Sequence, residues 1–390
     1  MFIIIIILVG CVIAANAFHL LALYAAAKFF LTRTASPQIE CQPASVLIPL
    51  AAADLSVYQN YARLCRQQYP CPYQLVFCVR DQNDPAISLI NTLKENFPDA
   101  DIEIVKHPSI NSANPKISNL QRMLERVKYE QLIIVDGRFR VREDFLSTIV
   151  EPLAERQVGM VTTLYRNSEA PDFNAKIEAL EMPELAIAVL LARLAKGLDF
   201  ALGTVIVTTK SILQLIGDFE SISNHFSEAF SLGNLVARAG YEVRLVNYPV
   251  EKPLPLLTFT EMLRRQIRRR RVLRRLRPAG FFVWALNYGV PLAVLVCVVV
   301  GFSASSLMLL AATLLIRWLT VWMIGVQWMR DTVLQKPLWL LPWRDAVSLL
   351  AWCAALFSNR IEWDGQVFKL QSDGSFTETG RREEGKPGSG

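Results

Sequence analysis

Histidine is scarce and paired cysteine is absent. Three histidines in 390 residues argue against a His-based metal centre, because such centres gather several imidazoles at once. The seven cysteines, at 11, 41, 65, 71, 78, 297 and 353, form no CxxC pair and no cluster with histidine. Three fall in apolar runs and Cys78 in a strand-like one, so they read as reduced, buried thiols of a cytoplasmic domain. Charge is also sparse. Charged residues are 19% of the chain against 52% hydrophobic, with a mean hydropathy of +0.29. That balance excludes an ordinary soluble protein and fits a membrane protein with one folded domain outside the lipid.

What charge there is lies unevenly. Much of the net +6 sits in "RRQIRRRRVLRRLR", residues 264–277, directly before a long apolar run. A basic run so placed faces anionic lipid headgroups rather than nucleic acid. The opening "FIIIIILVGCVIAANAFHLLALYAAAKFF" is long enough to cross a bilayer. It lacks the leading charges and small-residue exit of a cleaved signal peptide. Lys28 and Arg33 follow its apolar stretch, which puts that end in the cytoplasm. Two further spans are expected at 281–302 and 305–329. A third segment, 337–357, carries Arg344 and Asp345 near its middle. It either spans with those charges paired or lies re-entrant at the interface. The expected division is a first membrane helix at 1–31, a cytosolic domain at 32–257 and a basic interfacial helix at 258–279. C-terminal membrane helices follow at 280–357, then a tail at 358–390, disordered from about Gln371 on.

Residues 44–251 alternate between strand-like and helix-like runs. "ASVLIPL", "YQLVFCV", "DIEIVKH" and "QLIIVD" are near-continuous apolar stretches, as strands buried on both faces should be, and helical runs separate them. The alternation implies βαβ units in an α/β, Rossmann-like domain, where ligands bind beyond the C-terminal ends of the strands. Two of those ends carry acids: Asp81 and Asp84 in "FCVRDQND", and Asp136 in "IIVDGR".

These residues carry a resemblance. "CVRDQNDPA", "NPKISNL", "IIVDGRFRV", "GMVTTLYR" and "EAFSLGNLVARAGYEV" stand in the order seen in ceramide glucosyltransferases and the related bacterial hopanoid-lipid glycosyltransferases. "WRDAVSLLAWCAALFSNRIEWDG" is similar to the C-terminal membrane segment of that group. The resemblance implies a glycosyltransferase-A fold, a UDP-sugar donor and inverting transfer to a lipid hydroxyl at the cytosolic face of a membrane, here a bacterial inner membrane. It assigns Asp81, with Asp84 close by, to the nucleotide, and Asp136 to the diphosphate and its divalent cation, Mg²⁺ or Mn²⁺. Lys116 and Asn119 match positions beside the nucleotide. Glu228 matches the acid before the family's base aspartate, whose own place is taken by Ala229. The closing Arg/Gln-x-x-Arg-Trp motif is matched by Arg265 and Arg268, with Arg269 where tryptophan is expected. A register shifted to Gln266 and Arg269 fits almost as well.

The chemistry asks for charge neutralisation at the departing diphosphate, a proton acceptor at the attacking hydroxyl, and orientation of both substrates. Asp136 can bind a cation, but Arg138 occupies the second acid position of a DxD pattern, which implies a weak metal requirement. With Ala229 unable to take a proton, two stand-ins are open. Glu228 serves if the helix start shifts. His225 serves if its segment is helical, since four residues then bring it to the face of Ala229. Arg265 and Arg268 can reach the diphosphate. Partners follow as a UDP-sugar, a lipid acceptor (ceramide, hopanoid or diacylglycerol type) and anionic headgroups. Two other functions stay open: a relict that binds nucleotide sugar or lipid with little or no turnover, and a processive polysaccharide synthase.

Overall fold

In the computed structural model, described for residues 2–32, 41–50, 57–79, 84–106, 114–363, 366–371 and 374–381, the apolar runs are strands. β1 (Ala44–Pro49), β2 (Tyr73–Val79), β3 (Asp101–Lys106), β4 (Gln131–Val135), β5 (Val158–Glu169), β6 (Val205–Thr209) and β7 (Glu242–Pro253) form one sheet. Its order is β3-β2-β1-β4-β6-β5-β7. β1 to β4 run parallel, β6 is antiparallel to both neighbours, and β5 pairs parallel with β7.

Alternate residues of each strand enter opposite layers. Val46, Ile48, Leu75, Phe77, Ile133 and Val135 join one buried cluster, while Leu47, Val76, Cys78, Leu132 and Ile134 join the other. Both faces are covered, so no strand needs a polar alternation. The chain leaves β1 toward β2 and β3 and returns to its other side as β4. The crevice at that switch point lies where β1 and β4 end, and Asp136 is the first residue beyond β4.

One of the two layers continues into the membrane helices. Phe18, Ala22, Ala25, Ala26 and Phe29 of the helix Phe2–Leu31 share a cluster with Leu47, Ile134 and Ile206 of the sheet. The alanines let the helix approach closely, while Ile3, Ile4, Ile6 and Ile7 at its other end stay exposed. Among the described residues, three helices are long and apolar enough to cross a membrane: Phe2–Leu31, Pro278–Val300 and Ala304–Trp328.

The segment 337–357 forms a short 3-10 turn and the helix Leu341–Leu356, which has 16 residues. At 1.5 Å per residue that is about 24 Å, short of the roughly 20 residues a span needs. Its two charges do not pair with each other, contrary to the spanning form expected from sequence. Asp345 accepts from Arg317 at 2.8 Å, and Arg344 donates to Glu184 at 3.3 Å. The helix packs along the arginine-rich helix Phe259–Leu276, whose start is fixed by a Thr258/Glu261 capping box.

One face of the arginine-rich helix packs on the protein. Its buried residues are Met262, Gln266 and Arg270, four apart on one face turned to the protein. Val272 packs on a small C-terminal sheet formed by β8 (Arg360–Trp363), β9 (Gln366–Leu370) and β10 (Phe376–Arg381). The tail expected to be disordered from Gln371 is therefore strand again at 376–381. Ile361, Phe368, Leu370 and Phe376 give it a core of its own.

Glu184 joins these parts. Its carboxylate, fully buried, accepts from Arg317 at 3.0 Å, Arg270 at 3.2 Å and Arg344 at 3.3 Å. Removing one partner from such a cluster leaves buried charge uncompensated. Glu184→Ala is expected to cost about 3 kcal/mol or more, seen as a lower unfolding midpoint of the detergent-purified protein. An unchanged midpoint would show that the cluster does not hold the helices together.

Candidate active site

The turn after β4 is shaped by its neighbours. Gly137 is required there, since a Cβ would lie 2.7 Å from the Tyr61 hydroxyl. Asn60 donates to the Gly137 carbonyl at 3.0 Å. Two residues on, Arg138 turns back on Asp136, its Nε donating to Oδ1 at 2.9 Å and its second nitrogen to Oδ2 at 2.5 Å. Burial alone would raise the Asp136 carboxyl, but the Arg138 fork and nearby Lys116 outweigh it and hold it at about 2. Asp136 is thus a carboxylate at any physiological pH.

Lys116 comes from the "NPKISNL" run. Asn114 caps the helix Pro115–Leu124 by accepting from the Lys116 N–H, and Pro115 fills its first turn, where a missing N–H costs nothing. Asn119 donates to the Leu50 carbonyl just past β1. Lys116 itself forms an ion pair with Glu228. Burial disfavours its charge, yet Glu228 and Asp136 more than compensate and raise its pKa. Asp136, Arg138, Lys116 and Glu228, four of the residues singled out in the sequence, therefore form one cluster.

Glu228 is the first residue of the helix Glu228–Arg238, and Ala229 is buried in the core behind it. Gly233 lets this helix press on the loop 200–201, because a Cβ there would sit 2.3 Å from the Ala201 nitrogen. His225 lies outside the helix, so the face it was expected to share with Ala229 does not exist. It bridges to Ser375 beside the C-terminal sheet, and its carbonyl accepts from Asn114 at 3.0 Å. Asp84 caps a turn, accepting from the Ala86 N–H at 2.9 Å. Asp81 lies outside the described residues.

Sequence reasoning missed Lys252. The "DGRFR" run is stitched to β7 by reciprocal backbone bonds between Arg140 and Glu251 at 2.8 and 3.0 Å, which brings the next residue to the cluster. Lys252 Nζ lies 4.9 Å from the centre of the Tyr165 ring, and Tyr165 packs edge-on against Phe139. Burial first, then the charges of Arg269 and Arg138, lower its pKa to about 8. Nothing in "VEKP" marks this lysine except its place at a strand end.

The two registers of the closing motif lie on different faces of the arginine-rich helix. Arg269 pairs with Glu178 and with Glu181 at 2.7 Å, and Arg270 with Glu181 at 3.1 Å. Burial would raise the Glu181 carboxyl, but Arg269 and Arg270 bring it to about 2. Arg265 and Arg268 face the other way, toward the C-terminal sheet. The glutamates were missed too, although Glu178, Glu181 and Glu184 recur every three residues in an apolar stretch, a helical face made to meet arginines.

Asp136 was the expected cation ligand. Both its oxygens are engaged by Arg138, and among the described residues no three His, Cys, Asp or Glu side chains gather to hold an ion. Among the described residues, Asp136 is the acid placed to meet a cation, and its neighbours alone do not complete a site.

A parallel sheet with one antiparallel strand, its crevice carrying an acid at the end of β4, defines a glycosyltransferase-A-type domain. A mannosyltransferase from Pyrobaculum calidifontis, solved with GDP-Man and Mn²⁺, shares this fold at TM-score 0.54 and 17% identity, covering 90% of this chain and 99% of that one. The sequence profile of glycosyl transferase family 21 matches residues 2–376, and the chain belongs to that family. Ceramide glucosyltransferase 3 of Caenorhabditis elegans is 21% identical over 206 residues, 53% of this chain and 45% of its own length. Ceramide glucosyltransferase of Komagataella phaffii is 30% identical over 121 residues, 30% of this chain and 23% of its own length. The matched region thus spans less than half of these relatives.

Lys252 is a cation below about pH 8 and neutral above it. Affinity for a diphosphate ligand such as UDP is therefore expected to fall between pH 7 and 9, by up to about tenfold. Lys252→Arg should flatten that fall in a calorimetric titration. An equal fall in the variant would assign the dependence elsewhere.

Proposed function

We propose that this protein transfers a sugar from a UDP-sugar to the hydroxyl of a membrane lipid, with inversion at the anomeric carbon. The observation that carries this reading is the cluster at the end of β4: one ionised acid, Asp136, one acid beside it, Glu228, and the cations Lys116, Arg138 and Lys252. The UDP donor and the lipid acceptor are carried over from the family resemblance. The apolar helices packed on the domain support an acceptor held at a membrane.

The diphosphate is neutralised by the guanidinium of Arg138 and by Lys252, with Arg269 behind them braced by Glu178 and Glu181. Glu228 is the proton acceptor. Before donor binding it is tied to Lys116; a bound diphosphate competes for that ammonium and frees the carboxylate. The lipid hydroxyl then attacks C1 from the face opposite the diphosphate. The C1–O bond breaks, its electrons leave with UDP, and the hydroxyl proton passes to Glu228. A base so placed contributes about 10²–10⁴-fold. Because Arg138 already offsets charge at Asp136, the reaction depends weakly on a divalent cation. The domain faces the cytoplasm of a bacterial cell, as Lys28 and the basic helix indicate by the positive-inside rule. The core position of Ala229 favours a second reading, a relict that binds donor without turning it over.

Transfer of label from radioactive UDP-sugars to extracted lipid decides between them. Glu228→Gln is expected to lower turnover at least about 100-fold while UDP-sugar binding persists, and His225→Ala to change it less than about threefold. Binding without labelled lipid in the wild type would establish the relict instead.

Chelation provides a separate check. EDTA is expected to leave most of the activity, Arg138→Ala to lose about 10–100-fold, and Arg138→Asp to regain part of it only with Mn²⁺. Complete loss in EDTA would refute the arginine's role.

A further inference from the structure

The helix Phe259–Leu276 carries two sets of guanidinium groups with opposite surroundings. Arg269 and Arg270 are met by Glu178, Glu181 and Glu184. Arg264, Arg265, Arg268 and Arg271, spaced as one helical face, line a cavity of about 330 Å³ with Ile267 between them. Ile361 and Glu362 of β8 form its far wall, and Glu362 is the only carboxylate among the described lining residues. Arg264 and Arg265 make no ion pair with any described residue, and Arg271 donates to the Arg360 carbonyl at 2.7 Å. Cations outnumber acids among the described lining residues, and an anion entering the cavity would relieve their repulsion.

The position of the cavity limits what that anion is. Arg271 precedes Pro278, the first residue of a membrane helix, by seven residues, about 10 Å along a helix. Trp339, Trp343 and Phe357, which flank or lie on the helix packed alongside, are exposed. Aromatic rings left exposed next to apolar spans mark the headgroup level. None of Asp136, Arg138 and Lys252 lines the cavity, whose arginines face the C-terminal sheet. Its size is at the lower end for small-molecule pockets. It holds a phosphate with a small polyol, and guanidinium groups grip phosphate oxygens in forked pairs.

We infer that this cavity binds the phosphodiester headgroup of an anionic glycerophospholipid, clamping the arginine-rich helix and the C-terminal sheet to the bilayer surface. This rests on the membrane reading of the chain and not on glycosyl transfer.

The full chain, purified in detergent, is exchanged into nanodiscs of phosphatidylcholine with or without one-fifth phosphatidylglycerol, and the retained lipid is counted by native mass spectrometry. Phosphatidylglycerol is expected to be retained at least about tenfold over its share. Neutralising Arg264, Arg265 and Arg268 together to Gln should remove that preference, at roughly fivefold in affinity per arginine. Glu362→Gln, which removes the opposing charge, should strengthen retention. A control neutralising Arg122, Arg126 and Lys94, remote from the spans, should leave it unchanged. Equal retention of the two lipids, or equal loss in the control, overturns the proposal. So does displacement of phosphatidylglycerol by 10 mM inorganic phosphate, which would make the cavity a site for soluble phosphate. If the triple variant fails to fold, the Glu362→Gln shift and the single variant Arg264→Gln decide the matter.

Discussion

A carboxylate without access to water, shared among three guanidinium groups, organises this molecule. Burying Glu184 alone would cost far more than a folded chain of this size can spare, and so would burying Arg317 or Arg344. Together they are tolerable, because each supplies the charge the others need. The same helix offers Glu178 and Glu181 to Arg269 and Arg270. The acids therefore fix the arginine-rich helix against the domain at one end and the apolar helices at the other. Arg269, one of the charges that lower the Lys252 pKa, is held in place by Glu178 and Glu181.

Cations are in excess where the strands end. Lys116, Arg138 and Lys252 face Asp136 and Glu228; burial first, then the charges of Arg269 and Arg138, lowers the Lys252 pKa to about 8. The three cations exceed the two acids by one charge, which an entering anion would offset. The Arg138–Asp136 fork takes the place where related patterns set two acids. The family resemblance would set acids at 229 and 138; alanine and arginine there both make the described cluster less negative.

Much of the sheet was legible because strands buried on both faces leave an unmistakable trace. "VLIPL", "LVFCV" and "LIIV" have no polar alternation, and Asp136 stands at the end of one of them. The resemblance supplied Glu228 and Lys116 as well, though not their pairing, which needs two segments 112 residues apart. Other features were hidden for physical reasons. Lys252 is brought in by a backbone bridge that leaves no mark on composition. The inward pairing of Arg269 and Arg270 was hidden because a charged face is ordinarily the wet one; here acids buried beneath them invert that rule. The C-terminal strands were missed because Gly and Ser suggested disorder, while Phe368 and Phe376, eight residues apart, were enough for a small core.

The distances in sequence between Glu184 and its partners set an order of assembly. Arg317 lies 133 residues further on and Arg344 160. During synthesis the sheet and its acid-bearing helix emerge long before the helices that neutralise them. Until those later segments arrive, the face around Glu184 must stay hydrated. The domain thus reaches its final packing only when the last apolar segments have docked, and its crevice matures with the membrane part rather than ahead of it.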